Sequence, residues 1–215
     1  GGNFLRHGGS AAQKDEHIAG LIGGESIFAF AYSEPKSRYD LNDVSTTAKK
    51  DGAGYTLNGH KAVVIGAPFA THLFVTARTS GGQRDTSGIT VFLVPKTAKG
   101  VTTRDYPTVD GLRASEVHFE NVTVGADAVV GEVDNGLPLV EKVIDYAIAS
   151  LCAEACGGFK VLNECAQLAA EHGVPYVTRS VCCVRQSCAW AARSPVIVIV
   201  PAYCDRRCSS AGWRG

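Results

Sequence analysis

The sequence has no methionine, no net charge and no cysteine before Cys152. Its 21 Lys and Arg offset 21 Asp and Glu, so no net field draws the chain to nucleic acid or to an anionic membrane. No apolar run approaches the roughly 20 residues that cross a bilayer. The nearest, Val196-Ile197-Val198-Ile199-Val200, sits between Pro195 and Pro201 and reads as a strand. No secretory leader is visible. A chain that opens Gly1-Gly2 and lacks Met is expected to be part of a longer polypeptide. All eight cysteines lie at or after Cys152, six of them at or after Cys165. Paired C-x2-C knuckles are missing from Cys182, Cys183, Cys188, Cys204 and Cys208, and His172 is isolated, so no metal ligand set is assigned.

What is present is an ordinary globular balance. Apolar residues make up 45% and charged residues 20% of 215, enough for a sizeable core. Ser10 to Gly24 reads as a short helix with a stop at Gly23-Gly24. From Ser26 to about Val124 the pattern is β. Short runs at Ser26–Tyr32, Val44–Ala48, Tyr55–Leu57, Lys61–Ile65, His72–Ala77, Ile89–Val94, Val101–Arg104 and Val117–Phe119 are rich in β-branched and aromatic residues. Turn chemistry separates them, most clearly Asn58-Gly59, which predicts a type I′ hairpin. At Gly136 the period changes. Val140, Val143, Ile144, Ala147, Ile148, Leu151, Cys152 and Ala155 form the stripe of an amphipathic helix. After Cys165 no period holds for long.

The most informative stretch is Phe28-Ala29-Phe30-Ala31-Tyr32-Ser33-Glu34-Pro35, an apolar strand halted by a hydroxyl, a carboxylate and a proline. Three further blocks follow in order: Gly54–Pro68 (GYTLNGHKAVVIGAP), Gly88–Val101 (GITVFLVPKTAKGV) and Asp110–Gly131 (DGLRASEVHFENVTVGADAVVG). Together they resemble the acyl-CoA dehydrogenase family. The similarity runs from about Ser10 to Glu164 and is nearest the small-subunit type of pimeloyl-CoA dehydrogenases. It implies an α+β fold: an antiparallel β-barrel-like middle domain over residues 26–135, preceded by the end of a helical domain (1–25) and followed by the first helix of a C-terminal bundle (136–164). Residues 165–215 remain as an atypical Cys-rich tail, expected to reflect truncation or a shifted reading frame after about Glu164.

The resemblance implies FAD as cofactor and an acyl-CoA thioester as substrate, with α,β-dehydrogenation and hydride transfer to the flavin. By the same resemblance Phe30, Tyr32 and Ser33 meet the flavin ring. The alternatives are core packing for the two aromatics and a strand-end cap for Ser33. Val63-Val64-Ile65 stands where many relatives have Trp-Ile-Thr, so that only backbone amides could serve the flavin there; buried strand residues are the alternative. Tyr39, in the loop after Pro35, and Arg113 are candidate substrate-binding residues. Lys36 and Arg38 either pair with phosphate oxygens or stay solvated, and Arg113 could equally form a structural salt bridge. No catalytic base is assigned. The matching position on the helix is about Ala147, while Asp145 and Glu154 fall out of register. The implied setting is a cytoplasmic homo- or hetero-oligomer that passes electrons to an acceptor. A non-catalytic subunit that keeps the barrel for assembly is the alternative.

Overall fold

The computed structural model of the chain describes residues 1–171. Two short helices come first, α1 (Gly2–Gly8) and α2 (Ala11–Gly23). Eight strands follow: β1 (Phe28–Ala31), β2 (Thr47–Asp51), β3 (Gly54–Ile65), β4 (His72–Arg78), β5 (Ile89–Pro95), β6 (Val101–Pro107), β7 (Arg113–Gly125) and β8 (Val129–Val130). A long helix, α3 (Leu137–Glu171), closes the described part. The chain divides into one compact unit over Gly1–Asp145 and a second from Tyr146 onward. Beyond Glu171 the expected Cys-rich tail, with His172 and Cys182 to Cys208, lies outside the described residues. Among those described, no helix is long and apolar enough to cross a membrane.

The α+β class expected from sequence is what the first unit has. Its strands run in the order β6-β7-β3-β2-β4-β5-β8, with β1 added beside β4, and the path does not close into a barrel. Most pairings are antiparallel, but β1 and the start of β2 run parallel to β4.

Two cores explain why β4 and β5 read as continuous apolar runs. Leu73, Val75, Phe92 and Val94 face a core shared with Leu57, Val64, Val117, Phe119 and Val122. Phe74, Val91 and Leu93 face the opposite way, onto Phe4 and Leu5 of α1 and Val140 and Val143 of α3. A strand covered on both faces loses the alternation that marks a half-exposed one. At the free edge, β6 has Thr102, Thr103, Arg104 and Asp105 exposed, which discourages pairing with another chain.

α2 starts where Ser10 and Gln13 form a reciprocal capping box. The Gln13 amide also donates to the carbonyls of Asp127 (2.6 Å) and Val129 (3.0 Å). One cap therefore both starts the helix and ties it to β8. α2 ends at Gly24 in the left-handed region, the stop expected at Gly23-Gly24. α1 carries no signal that the sequence reading used.

The Asn58-Gly59 hairpin is not there. β3 runs unbroken through both residues, pairing with β2 on one side and β7 on the other. The β3–β7 register shifts between Leu57 and Gly59, and the Asn58 side chain accepts the Asn121 N–H at 2.8 Å. Glycine is required for another reason: a Cβ on residue 59 would lie 2.7 Å from the Thr46 Cα. The dipeptide marks a bulge and a close backbone approach rather than a turn. Gly59→Ala should therefore destabilise the chain by about 2 kcal/mol through overpacking, read as a lower midpoint in urea with an unchanged slope.

Candidate functional site

The polypeptide leaves β1 at Ala31, and the next three residues do different work. Tyr32 turns its ring outward, 40% exposed, and lies tilted by 31° against Phe30 at 4.8 Å between centroids. The Ser33 carbonyl accepts the Ala62 N–H of β3 at 2.8 Å. The Glu34 side chain goes inward. Pro35 biases Glu34 to extended backbone, and Ser37 closes the turn by accepting the Glu34 N–H (3.0 Å) and donating to its carbonyl (3.1 Å).

Inside, Glu34 meets Lys61, whose side chain has no exposure at all. Lys61 Nζ donates to Glu34 Oε1 at 2.7 Å, to Thr76 Oγ1 at 3.0 Å and to the Tyr32 carbonyl at 3.4 Å. Glu34 also accepts the backbone N–H groups of Ser45 (2.8 Å) and Thr46 (3.0 Å), and the Ser45 hydroxyl. Burial pushes the Glu34 carboxyl up, but the adjacent ammonium and these donors outweigh it and hold the group at about 2. Burial pulls Lys61 down to about 8 despite its partner. Every strong polar atom of the pair is satisfied, which is the condition for keeping two charges in a core. The same bonds explain why β2 begins at Thr47 rather than Val44: the amides of Ser45 and Thr46 are spent on Glu34.

Immediately beyond Lys61, β3 carries an extra residue. Lys61 pairs with Val117 of β7 and Val64 with Ser115, so three steps on β3 match two on β7. The surplus is absorbed at Val63, which sits at φ 54°, a left-handed conformation that costs a β-branched residue on the order of 1–3 kcal/mol. The bulge swings successive side chains apart. Val63 and Ile65 are 51% and 56% exposed, and Val64 between them is buried in the core. Gly66 then turns the chain, donating its N–H to the Arg113 carbonyl at 2.9 Å.

The expected site residues thus fall into groups. Tyr32 and Ser33 lie against the segment of β3 that leads into Val63, and Arg113 stands beside Ile65 and Gly66. Phe30 is half-buried and edge-on to Phe4 at 4.7 Å, so its ring backs Tyr32 from the helical core. Val64 offers backbone only. Tyr39 is 95% exposed in the loop after Ser37, and Lys36 and Arg38 in that loop are exposed too. Asp145 and Glu154 are exposed on α3, and Ala147 carries no acid. The residues that the sequence reading passed over are Glu34 and Lys61. Both were in view within the Ser-Glu-Pro and Asn-Gly-x-Lys strings, but nothing in either string says that they touch.

Replacing Lys61 by Met should cost about 3–5 kcal/mol because it strands a buried carboxylate, and the double change Lys61→Met/Glu34→Leu should cost less. The acid dependence follows from Glu34. Unfolded, it takes up its proton near 4.5; folded, only near 2. Between those values the unfolded chain binds more protons, so stability should fall as pH drops from about 5 toward 2. Glu34→Gln should flatten that limb, as measured by urea midpoints across the range.

Comparison with known proteins bears on this geometry. Residues 29–122 match the family model "Acyl-CoA dehydrogenase, middle domain". The chain is 32% identical over 171 residues to 3-(aryl)acrylate reductase of Clostridium sporogenes, covering 78% of this chain and 43% of that protein. It is 34% identical over 179 residues to mitochondrial isovaleryl-CoA dehydrogenase of Oryza sativa subsp. japonica, covering 81% and 41%. Among solved structures, the ChsE4-ChsE5 complex from Mycobacterium tuberculosis superposes with a TM-score of 0.62 at 29% identity, over 66% of this chain and 37% of that one. The chain therefore spans about two fifths of the length of the curated relatives it matches. Through residues 29–122, with their ion-paired strand ends and bulged third strand, the chain carries the middle domain of the acyl-CoA dehydrogenase family.

Proposed function

We propose that this chain supplies the sheet against which FAD and an acyl-CoA thioester are held in an acyl-CoA dehydrogenase. The observation that carries the reading is the surface at the ends of β1 and β3. Tyr32, Val63 and Ile65 expose apolar side chains there, Ser33 is tied by its carbonyl to the Ala62 N–H just before Val63, and Val63 has no partner in the β3–β7 register. An apolar seat with a few convergent polar groups suits a flat ring with a polar edge, so the residues present fit a flavin. When bound, FAD would supply the acceptor for the hydride.

The chain's own residues have four tasks in this reading. Tyr32, Val63 and Ile65 keep water from one face of the ring. The Ser33 hydroxyl, able to donate and accept, orients the ring's polar edge. Arg113 offers an exposed guanidinium to the acyl-CoA side, and Tyr39 offers a phenol from its loop. The Glu34–Lys61 pair touches neither ligand; it holds the two strand ends in register.

The base that removes the α-proton is assigned to no residue of this chain, since Ala147 cannot act. We infer a partner subunit or further polypeptide that contributes it, giving a homo- or hetero-oligomer; the ChsE4-ChsE5 complex is a precedent for two such chains together. We further propose a chain of the small-subunit type of pimeloyl-CoA dehydrogenases, reoxidised by an electron-transfer protein in the cytoplasm. The second reading, a non-catalytic subunit, draws on the same Ala147 and on the absence of any side-chain donor in Val63-Val64-Ile65.

Gel filtration of the full chain after incubation with FAD tests the proposal. Flavin absorbance should travel with the protein, and Ser33→Ala should weaken the binding about tenfold through loss of a hydrogen bond. Bleaching by acyl-CoA, once the partner is added, would mark the dehydrogenase direction. Reoxidation of pre-reduced flavin by an arylacrylate would mark the reductive direction that the C. sporogenes enzyme's name indicates. Protein that emerges colourless yet still assembles would sink the flavin reading in favour of the scaffold.

A further inference from the structure

On the face of β3 and β7 turned away from Lys61, three side chains with metal-binding atoms converge. His60 and His118 are direct cross-strand partners, and their rings stack at 4.0 Å with 13° between planes. Glu116 precedes His118 by two residues and so shares its face; its Oε2 lies 2.5 Å from His60 Nε2. One ligand atom from each residue falls within 4.8 Å of the other two. The neighbouring positions Lys61, Val117 and Phe119 are buried on the opposite face, so this trio takes no part in the Glu34–Lys61 network.

Two features favour an ion over an idle polar cluster. The Glu116 carboxylate offsets cationic charge. His60 and Glu116 side chains are 31% and 34% exposed, which leaves an entry path and room for a water as a fourth ligand. Two imidazoles, a carboxylate and an open position form a set that Zn²⁺ accepts. Tetrahedral Zn²⁺ with bonds of about 2.0–2.2 Å holds its ligands roughly 3.4 Å apart, so the two imidazole rings, stacked at 13° between planes, must splay for both lone pairs to meet one ion.

We propose that His60, Glu116 and His118 form a binding site for a divalent transition metal of the Zn²⁺ class, clipping β3 to β7. Such a clip restrains β3 one residue before Lys61, on the strand that leads into the Val63 bulge. The site is independent of flavin binding, and its test needs no activity.

The full chain, its thiols alkylated so that the cysteines cannot compete, is titrated with Co²⁺ and followed by visible absorbance. One equivalent should develop the d–d bands of a low-symmetry nitrogen- and oxygen-bound ion, and Zn²⁺ should displace it. Zn²⁺ at about a hundredfold over its Kd should raise the Tm by roughly 5–10 °C. His118→Gln should lower the affinity at least about tenfold and abolish the rise in Tm. Glu116→Gln, which keeps the side-chain volume, should weaken binding too, with unchanged far-UV circular dichroism in the absence of metal. Absence of the bands in the parent chain, or bands and thermal shift retained in both variants, would overturn the site.

Discussion

A lysine with no solvent contact has to find a counter-charge and hydrogen-bond acceptors, and in this chain Glu34, Thr76 and the Tyr32 carbonyl meet that demand. The pair draws together segments that are far apart in sequence: the end of β1, the turn before β2, the middle of β3 and the interior of β4. Ser45 and Thr46 give their amides to the carboxylate and so cannot enter the β2 ladder. The Tyr32 carbonyl is pinned by the ammonium and the Ser33 carbonyl by Ala62, which sets the β1 end against β3. An ion pair of this kind adds little net stability over a well-packed apolar pair. Its value here is positional, because neither charge can leave its partner without a large penalty.

The bulge at Val63 depends on that anchor. With Lys61 held inside, β3 must return Val64 to the core, and the extra residue between them is forced into a left-handed conformation and out toward solvent. Strain of this kind persists only where the surroundings over-determine it. Lys61 fixes the bulge on one side, and Val64 packing with the Gly66–Arg113 bond fixes it on the other. The outcome is a pair of exposed apolar side chains and an unpaired backbone unit beside Ser33, a chemically useful surface produced by a constraint located behind it.

β3 therefore serves three neighbourhoods at once. Its inward face carries Lys61 and Val64, its far end presents Val63 and Ile65, and its outward face sets His60 against His118 and Glu116. Alternation along one strand is enough to separate the ion pair from the histidine cluster by a single residue, which is why a polar stretch such as His60-Lys61 can belong to two unrelated networks.

By itself, the sequence determined the class of fold, the order of most strands, the helix that follows Gly136 and the family of the middle domain. Those follow from local pattern, and from four motif blocks in a fixed order. Through the resemblance it also brought into view Phe30, Tyr32, Ser33 and Val63-Val64-Ile65 as cofactor candidates and Tyr39 and Arg113 as substrate candidates. Only the tertiary structure decided how they meet. Asn58-Gly59 carries the letters of a tight turn, but packing against Thr46 makes it a bulge inside a long strand. Lys61 falls in a strand run with nothing local to mark it as buried, because no local pattern registers a carboxylate 27 residues away. Likewise His60 lies far along the chain from Glu116 and His118, and only the β3–β7 register sets them face to face. Local chemistry is written in adjacent residues; pairing across a sheet depends on register, and register is set by the whole core.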